Sequence, residues 1–196
     1  MLRLVIAETG VAAAARQLFG GHDPALVARV DLSPKAPFAG PLFSLLAELT
    51  AGDVVGLVVP GEWRGPAAAG GSAAPAARPA APAPHALAVR DHVNLVLRGP
   101  LTGRWPAGVP RSFPCMTGIY QPAAVRAAAG APVYSEDVVV AGVGDGEKVT
   151  PFERRALDEA GAVAYADRLV PAVIAAAFYG LKVAACVVTQ AAHERE

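Results

Sequence analysis

Asp91, His92 and Asn94 fall within four positions at the end of an apolar segment. This carboxylate, imidazole and amide either shape the loop that follows or contact a ligand directly. Asp167 and Arg168 are adjacent later in the chain, where an expected strand gives way to an expected helix. They form a surface ion pair, which contributes little, or Arg168 binds an anion. A guanidinium presents a planar fork of donors, and the N-terminus of the next helix also favours negative charge. Glu147 sits on a Gly-flanked loop, where a carboxylate is readily solvated. His22 and His193 have no companion residues. Cys115 and Cys186 are far apart and match no metal spacing, so they read as two reduced thiols of a cytoplasmic protein. No metal and no cofactor is expected.

The elements that must position these groups are legible in outline. Residues 2–7 and 54–59 are short apolar runs of β-branched character and read as buried strands; residues 25–30 are a weaker strand candidate. Phe38, Leu42, Leu45, Leu46 and Leu49 recur at helical spacing, and Gly52-Asp53 then turns the chain. Residues 65–84 collapse into Ala, Pro and Gly, where repeated proline removes backbone donors and forbids regular helix, so a loop is expected. A strand is expected at 86–90. From residue 138 strand and helix alternate: strand 138–143, then helix 150–160 capped by Thr150 with Pro151 in its first turn. Strand 162–166 follows, then helix 170–179 ended by Gly180, and strand 181–189. Glu153, Arg154 and Arg155 read as the outer face of the first of these helices. Such alternation predicts an α/β fold with helices on both faces of the sheet.

Composition narrows the partners. The 196 residues are 54% hydrophobic and 17% charged, with a formal net charge of zero. Binding nucleic acid non-specifically needs clustered Lys and Arg to displace counterions, so nucleic acid is not an expected partner. So little charge leaves apolar surface that favours an oligomer. No apolar run reaches the roughly 18 residues of a membrane span. The opening run, residues 1–7, is short and interrupted by Glu8, which suits a first strand better than a signal peptide.

Two blocks carry a family resemblance. Residues 91–120 read DHVNLVLRGPLTGRWPAGVPRSFPCMTGIY, and residues 138–190 carry Ala141-Gly142, Gly161-Ala162, Val170-Pro171, Gly180-Leu181 and Thr189 in order. Together they resemble the trimeric purine nucleoside phosphorylase and methylthioadenosine phosphorylase family. Its matching elements are an Asp-His-hydrophobe-Asn-Leu strand end, a long loop, a Phe-Pro-x-Met element and a Tyr. The resemblance implies one domain across residues 1–196, a three-layer α/β/α sandwich with a mixed central sheet. It also implies that 65–84 is a loop within that domain. The shortfall in length relative to the family falls before residue 91 and after Gln190.

The resemblance further implies phosphorolysis, in which phosphate attacks the anomeric carbon of a purine nucleoside while the base leaves. It places a phosphate turn at Thr9-Gly10, but Glu8 brings a carboxylate to where the phosphate should sit. The purine-recognising Glu falls on Val149, or on Glu147 after a two-residue slip. The family's Met-Ser pair falls on Asp167-Arg168, and its closing Asn or Asp on Gln190. An Arg-x-His phosphate pair has no match, Gly21-His22 is a loose candidate for an upstream His-Gly, and Ala68-Ala69-Gly70-Gly71 a weak one for a further turn. What survives is the part lent to a neighbour: Phe113 occupies the position whose ring covers the ribose in the adjoining subunit. His92, Asn94, Met116 and Tyr120 accompany it at the expected subunit interface.

The leading expectation is therefore a degenerate, non-catalytic subunit in the cytoplasm. It would assemble as a homo- or hetero-oligomer, a trimer or hexamer with a full-length phosphorylase, and lend Phe113. One alternative is an active phosphorylase, with phosphate as co-substrate, or a hydrolase; either would act on an unusual purine-type nucleoside through Thr9, Arg168 and Glu147. Another is a protein that binds a purine nucleoside without reacting it.

Overall fold

Valine dominates the segments that become strands, and its stiff, branched side chain suits a pleated, buried surface. The computed structural model describes residues 2–19, 27–30, 41–66, 86–96, 99–101, 113–143 and 149–189. The strands are β1 (Leu2–Glu8), β2 (Val27–Val30), β3 (Val54–Trp63), β4 (Ala86–Asn94), β5 (Val138–Gly142), β6 (Ala162–Tyr165) and β7 (Lys182–Thr189). All seven belong to one mixed sheet.

Two parallel blocks make up that sheet: β2, β1, β3 and β7 in one, and β4, β5 and β6 in the other. Two antiparallel seams join them, β4 against β7 and the tip of β3 against β6. The pairings β3–β7–β4–β5–β6–β3 close a five-strand ring, and β1 and β2 continue from its flank. One edge of β3 therefore serves two neighbours. Its residues 54–58 take β1, Glu62 and Trp63 take β6, and residues 59–61 take neither.

Among the described residues the α-helices are α1 (Ala12–Leu18), α2 (Pro41–Ala47), α3 (Pro122–Ala128), α4 (Pro151–Glu159) and α5 (Leu169–Phe178). Alternation along the strands divides the core between them. Val183, Ala185 and Val187 of β7 share a cluster with Leu42, Leu46, Leu169 and Val173 of α2 and α5. Ala184 and Cys186 share the opposite cluster with Ala15 and Val125 of α1 and α3. Leu157 of α4 packs on Val139, Ala141 and Tyr165 outside the β5–β6 side of the ring. The result is a mixed sheet layered between helices, as expected, with the added curl that closes the ring.

Several elements differ from the sequence reading. β3 runs past residue 59 because Pro60, which has no N–H to donate, falls on the stretch of edge that neither β1 nor β6 pairs. Gly61 lets that tip approach the seam: a Cβ there would lie 2.4 Å from Val187 Cγ1 and 2.9 Å from the Tyr165 carbonyl oxygen. β4 continues to Asn94 through a bulge between Val89 and Asp91. Helices α1 and α3 were not expected. Glu153 does more than face outward, since it forms a reciprocal capping box with Thr150 at the start of α4. Residues 25–26, 38–40 and most of 65–84 lie outside the described residues.

Candidate functional site

The divided edge of β3 is where this fold gathers buried polar groups. β1 is parallel to β3 and β6 antiparallel to it, so the carboxyl ends of β1 and β6 point at each other across residues 59–61. A crevice where strands diverge beyond their carboxyl ends is the usual place for a ligand in an α/β sheet. Glu8 closes β1 and is 7% exposed. Arg168 stands just after β6 as the N-cap residue of α5, and its Nη1 donates to Glu8 Oε1 at 3.1 Å. The guanidinium also lies 3.6 Å from a carboxylate oxygen of Asp167.

Parity fixes which other groups share this fork. Ile6, Val59 and Val187 belong to one core cluster, so Glu8, Gly61 and Thr189, each two positions further on, face the same side as α5. Thr189 ends β7 opposite Gly61 and is 4% exposed, and its hydroxyl is buried without a hydrogen-bond partner. Orphaned buried hydroxyls are uncommon in native proteins and call for a partner. The sequence reading treated Thr189 as framework only. The available signal was a hydroxyl closing an otherwise apolar strand.

Around this fork the expected site residues are distributed unevenly. Asp167 and Arg168 reach it, Arg168 with its charge engaged by Glu8. Thr9 and Gly10 open the 3-10 turn that follows Glu8, and both are exposed. Glu147 and Gln190 lie outside the described residues, as do Gly21, His22, the 68–71 turn and His193. Val149 is partly buried against the α4 side of the ring.

A second region gathers the other expected residues. The backbone from Met116 to Gln121 is strapped to the start of β7: Gln121 N–H donates to the Val183 carbonyl at 2.7 Å, and Val183 N–H donates to that of Ile119 at 2.9 Å. Lys182 Nζ adds a bond to the Gly118 carbonyl at 3.1 Å. Tyr120 reaches across to β4, its hydroxyl 2.8 Å from His92 Nδ1 and the two rings set edge to face. Met116 and Tyr120 thus pack on the chain's own core. Phe113, ahead of this strap, is 96% exposed.

Within the DHVNL motif the polar side chains serve local backbone. Asp91 Oδ1 accepts from the His92 N–H at 2.8 Å, and Asn94 Oδ1 from the Val96 N–H at 3.0 Å. Burial lowers the pKa of His92, and the Asp91 carboxylate partly offsets the shift. Burial, with Asp91 adding to it, raises that of Tyr120, which keeps its proton. Both cysteines are free, Cys115 exposed and Cys186 buried, and burial pushes the Cys186 thiol up to about 12. Among the described residues no cluster of three His, Cys, Asp or Glu gathers to hold a metal, and no helix is long and apolar enough to cross a membrane.

No family model matches this sequence, and no curated protein matches it. Solved structures with a similar chain course include a Schistosoma purine nucleoside phosphorylase in complex with guanosine. It has 17% identity and a TM-score of 0.49, and the match covers 69% of this chain and 48% of that one. The purine nucleoside phosphorylase from Schistosoma mansoni in complex with acetate gives the same values. Isoform 2 from that organism, in complex with cytosine and ribose-1-phosphate, gives 18% identity, a TM-score of 0.46 and coverage of 69% and 46%. The chain spans less than half the length of these structures.

Proposed function

We propose that this chain is a nucleoside phosphorylase-like subunit that does not catalyse phosphorolysis itself and completes a neighbouring catalytic subunit's site with Phe113. The observation that carries the reading is the Glu8–Arg168 pair, 3.1 Å long, with Glu8 buried and Arg168 partly exposed in the fork at the strand ends. Phosphorolysis needs a multiply charged phosphate held by donors close to the sugar. Here the guanidinium nearest that position already holds a carboxylate. A phosphate entering beside Glu8 meets like charge, at a cost of about 4 kcal/mol per pair of unit charges 4 Å apart at an effective dielectric near 20. The family motifs across residues 91–120 support the second half of the reading, together with the exposure of Phe113 on a strap tied down at its base. Its ring is free to enter another subunit.

The test has two arms. Purified alone and given phosphate with inosine, adenosine or methylthioadenosine, the chain turns over none of them. Co-expressed with a full-length phosphorylase from the same source, it co-purifies as a mixed oligomer. Robust phosphorolysis by the homogeneous chain overturns the proposal.

One observation favours a second reading, a purine nucleoside-binding protein that performs no reaction. The orphaned Thr189 hydroxyl faces the same side of the sheet as Glu8 and is suited to bond a ligand. Calorimetric titration with purine nucleosides separates the two, because a purely structural subunit evolves no heat of binding.

A further inference from the structure

His92 and Tyr120 add one side-chain bond to the backbone bonds and the Lys182 bond that hold the strap, and its chemistry depends on one proton. Tyr120 is partly buried, and its hydroxyl lies 2.8 Å from His92 Nδ1. Where the hydroxyl donates, Nδ1 carries no proton and the neutral imidazole holds its hydrogen on Nε2. We propose that the His92–Tyr120 bond is an acid-sensitive latch that fastens the strap from Met116 to Gln121 on the sheet and opens when Nδ1 is protonated. The latch requires the arrangement with the hydrogen on Nε2. Protonated Nδ1 becomes a donor facing a donor. The Tyr120 hydroxyl must then turn its lone pair to the imidazolium and point its own proton elsewhere in a partly buried setting, which weakens the bond.

The surroundings favour such a response. On its own strand His92 has Asp91 beside it, whose Oδ1 is engaged by the His92 backbone N–H, and the exposed Arg90 at the bulge. From β5 it is opposite Val140, and the neighbouring β5 residues Val139 and Ala141 carry no charge either. From the strap it meets Tyr120, and the cation at the start of β7, Lys182, is turned to the Gly118 carbonyl. Burial is the larger influence on the imidazole and lowers its pKa; Asp91 acts against it. A group whose folded pKa is lowered contributes stability that is present above its ordinary value, near 6.5, and lost as pH falls through the folded value. The latch is therefore closed at pH 7.5 and opens on the acid side of about 6.5.

Opening matters because Phe113 lies three residues ahead of the strap. That consequence rests on the reading of Phe113 as the residue lent to a neighbour, whereas the latch can be tested in the isolated chain, so the two fail separately. Amide hydrogen exchange of Gln121 and Val183, corrected for intrinsic rates, is measured at pH 7.5 and pH 5. Protection falls at least tenfold in the wild-type chain. In His92→Gln, whose side-chain amide can still bond Tyr120 and does not titrate, protection stays the same at both values. Equal protection of the wild-type strap at both values, or an equal fall in His92→Gln, overturns the latch. Nitrogen-15 spectra of the wild-type His92 ring give a check that needs no variant. Hydrogen on Nε2 at pH 7.5 supports the assignment, and hydrogen on Nδ1 overturns it.

Discussion

The fork beside β3 and the strap before α3 treat their functional residues in opposite ways. At the fork, Glu8 and Arg168 come from positions 160 residues apart and neutralise each other at the carboxyl ends of β1 and β6. At the strap, backbone and side-chain bonds fix residues 116–121 to β4 and β7 while Phe113 is left in solvent. One region keeps its charge to itself; the other presents an aromatic ring with nothing of its own to cover. A subunit that ran the reaction alone would need the reverse, an unengaged cation at the fork and no bare ring. The contrast ties the two regions to one proposal, and each can be attacked separately.

The largest effect is expected at the seam that creates the fork. Gly61→Ala places a methyl 2.4 Å from Val187 Cγ1 and 2.9 Å from the Tyr165 carbonyl oxygen, between two strands that cannot both move away. Overpacking of this kind costs about 1–3 kcal/mol, which lowers the melting temperature by roughly 2–12 °C in a chain of this size. An unchanged melting temperature would mean that β3 and β6 do not meet as described, and the fork would go with them.

A middle-sized effect is expected from Glu8→Ala. A hydrogen bond to a charged partner contributes about 1.5–3 kcal/mol, and Arg168 is partly exposed, so its loss falls at the lower end. The informative readout is gain rather than loss. With the carboxylate removed, the Arg168 guanidinium loses its Glu8 partner while Asp167 stays 3.6 Å away, and phosphate or sulfate binding should rise to a level measurable by calorimetry at millimolar concentration. It should vanish again in Glu8→Ala/Arg168→Ala. If Glu8→Ala binds phosphate no better than the wild-type chain, Glu8 is not what keeps phosphate out.

How much of this was legible in the sequence differs between the two regions for physical reasons. The strands announced themselves through β-branched apolar runs, and α4 through Thr150 and Pro151. Helices α1 and α3, reading AAAARQL and PAAVRAA, are too rich in alanine to show the contrast of faces from which a helical period is read. A contiguous motif named the residues of the strap, as a subunit interface, but not their bonds to β4 and β7. The fork was visible only in pieces. Glu8 and Arg168 were each singled out, yet nothing local joins a residue at the end of the first strand to one 160 positions later. Their meeting depends on one edge of β3 accepting β1 along part of its length and β6 along another. Pro60 and Gly61, which mark the gap between them, looked from the sequence like the end of a strand.

The smallest effect on stability, and the most telling on function, is expected from Phe113→Ala. A side chain 96% exposed has almost no packing to lose, so the melting temperature of this chain should stay within the range of an ordinary surface substitution, about 0.5 kcal/mol. A buried phenylalanine would instead cost about 3–5 kcal/mol, and the exposure leaves no room for that outcome. If Phe113 is lent to a neighbour as proposed, the same change in a mixed oligomer removes a ring over the sugar, and the Michaelis constant for the nucleoside should rise. Measuring both quantities on the same variant decides the role of the strap. A raised Michaelis constant with an unchanged melting temperature supports donation to a neighbour. Unchanged kinetics in a mixed oligomer that still forms would leave Phe113 without a substrate to cover, and the comparison between fork and strap would lose its functional half.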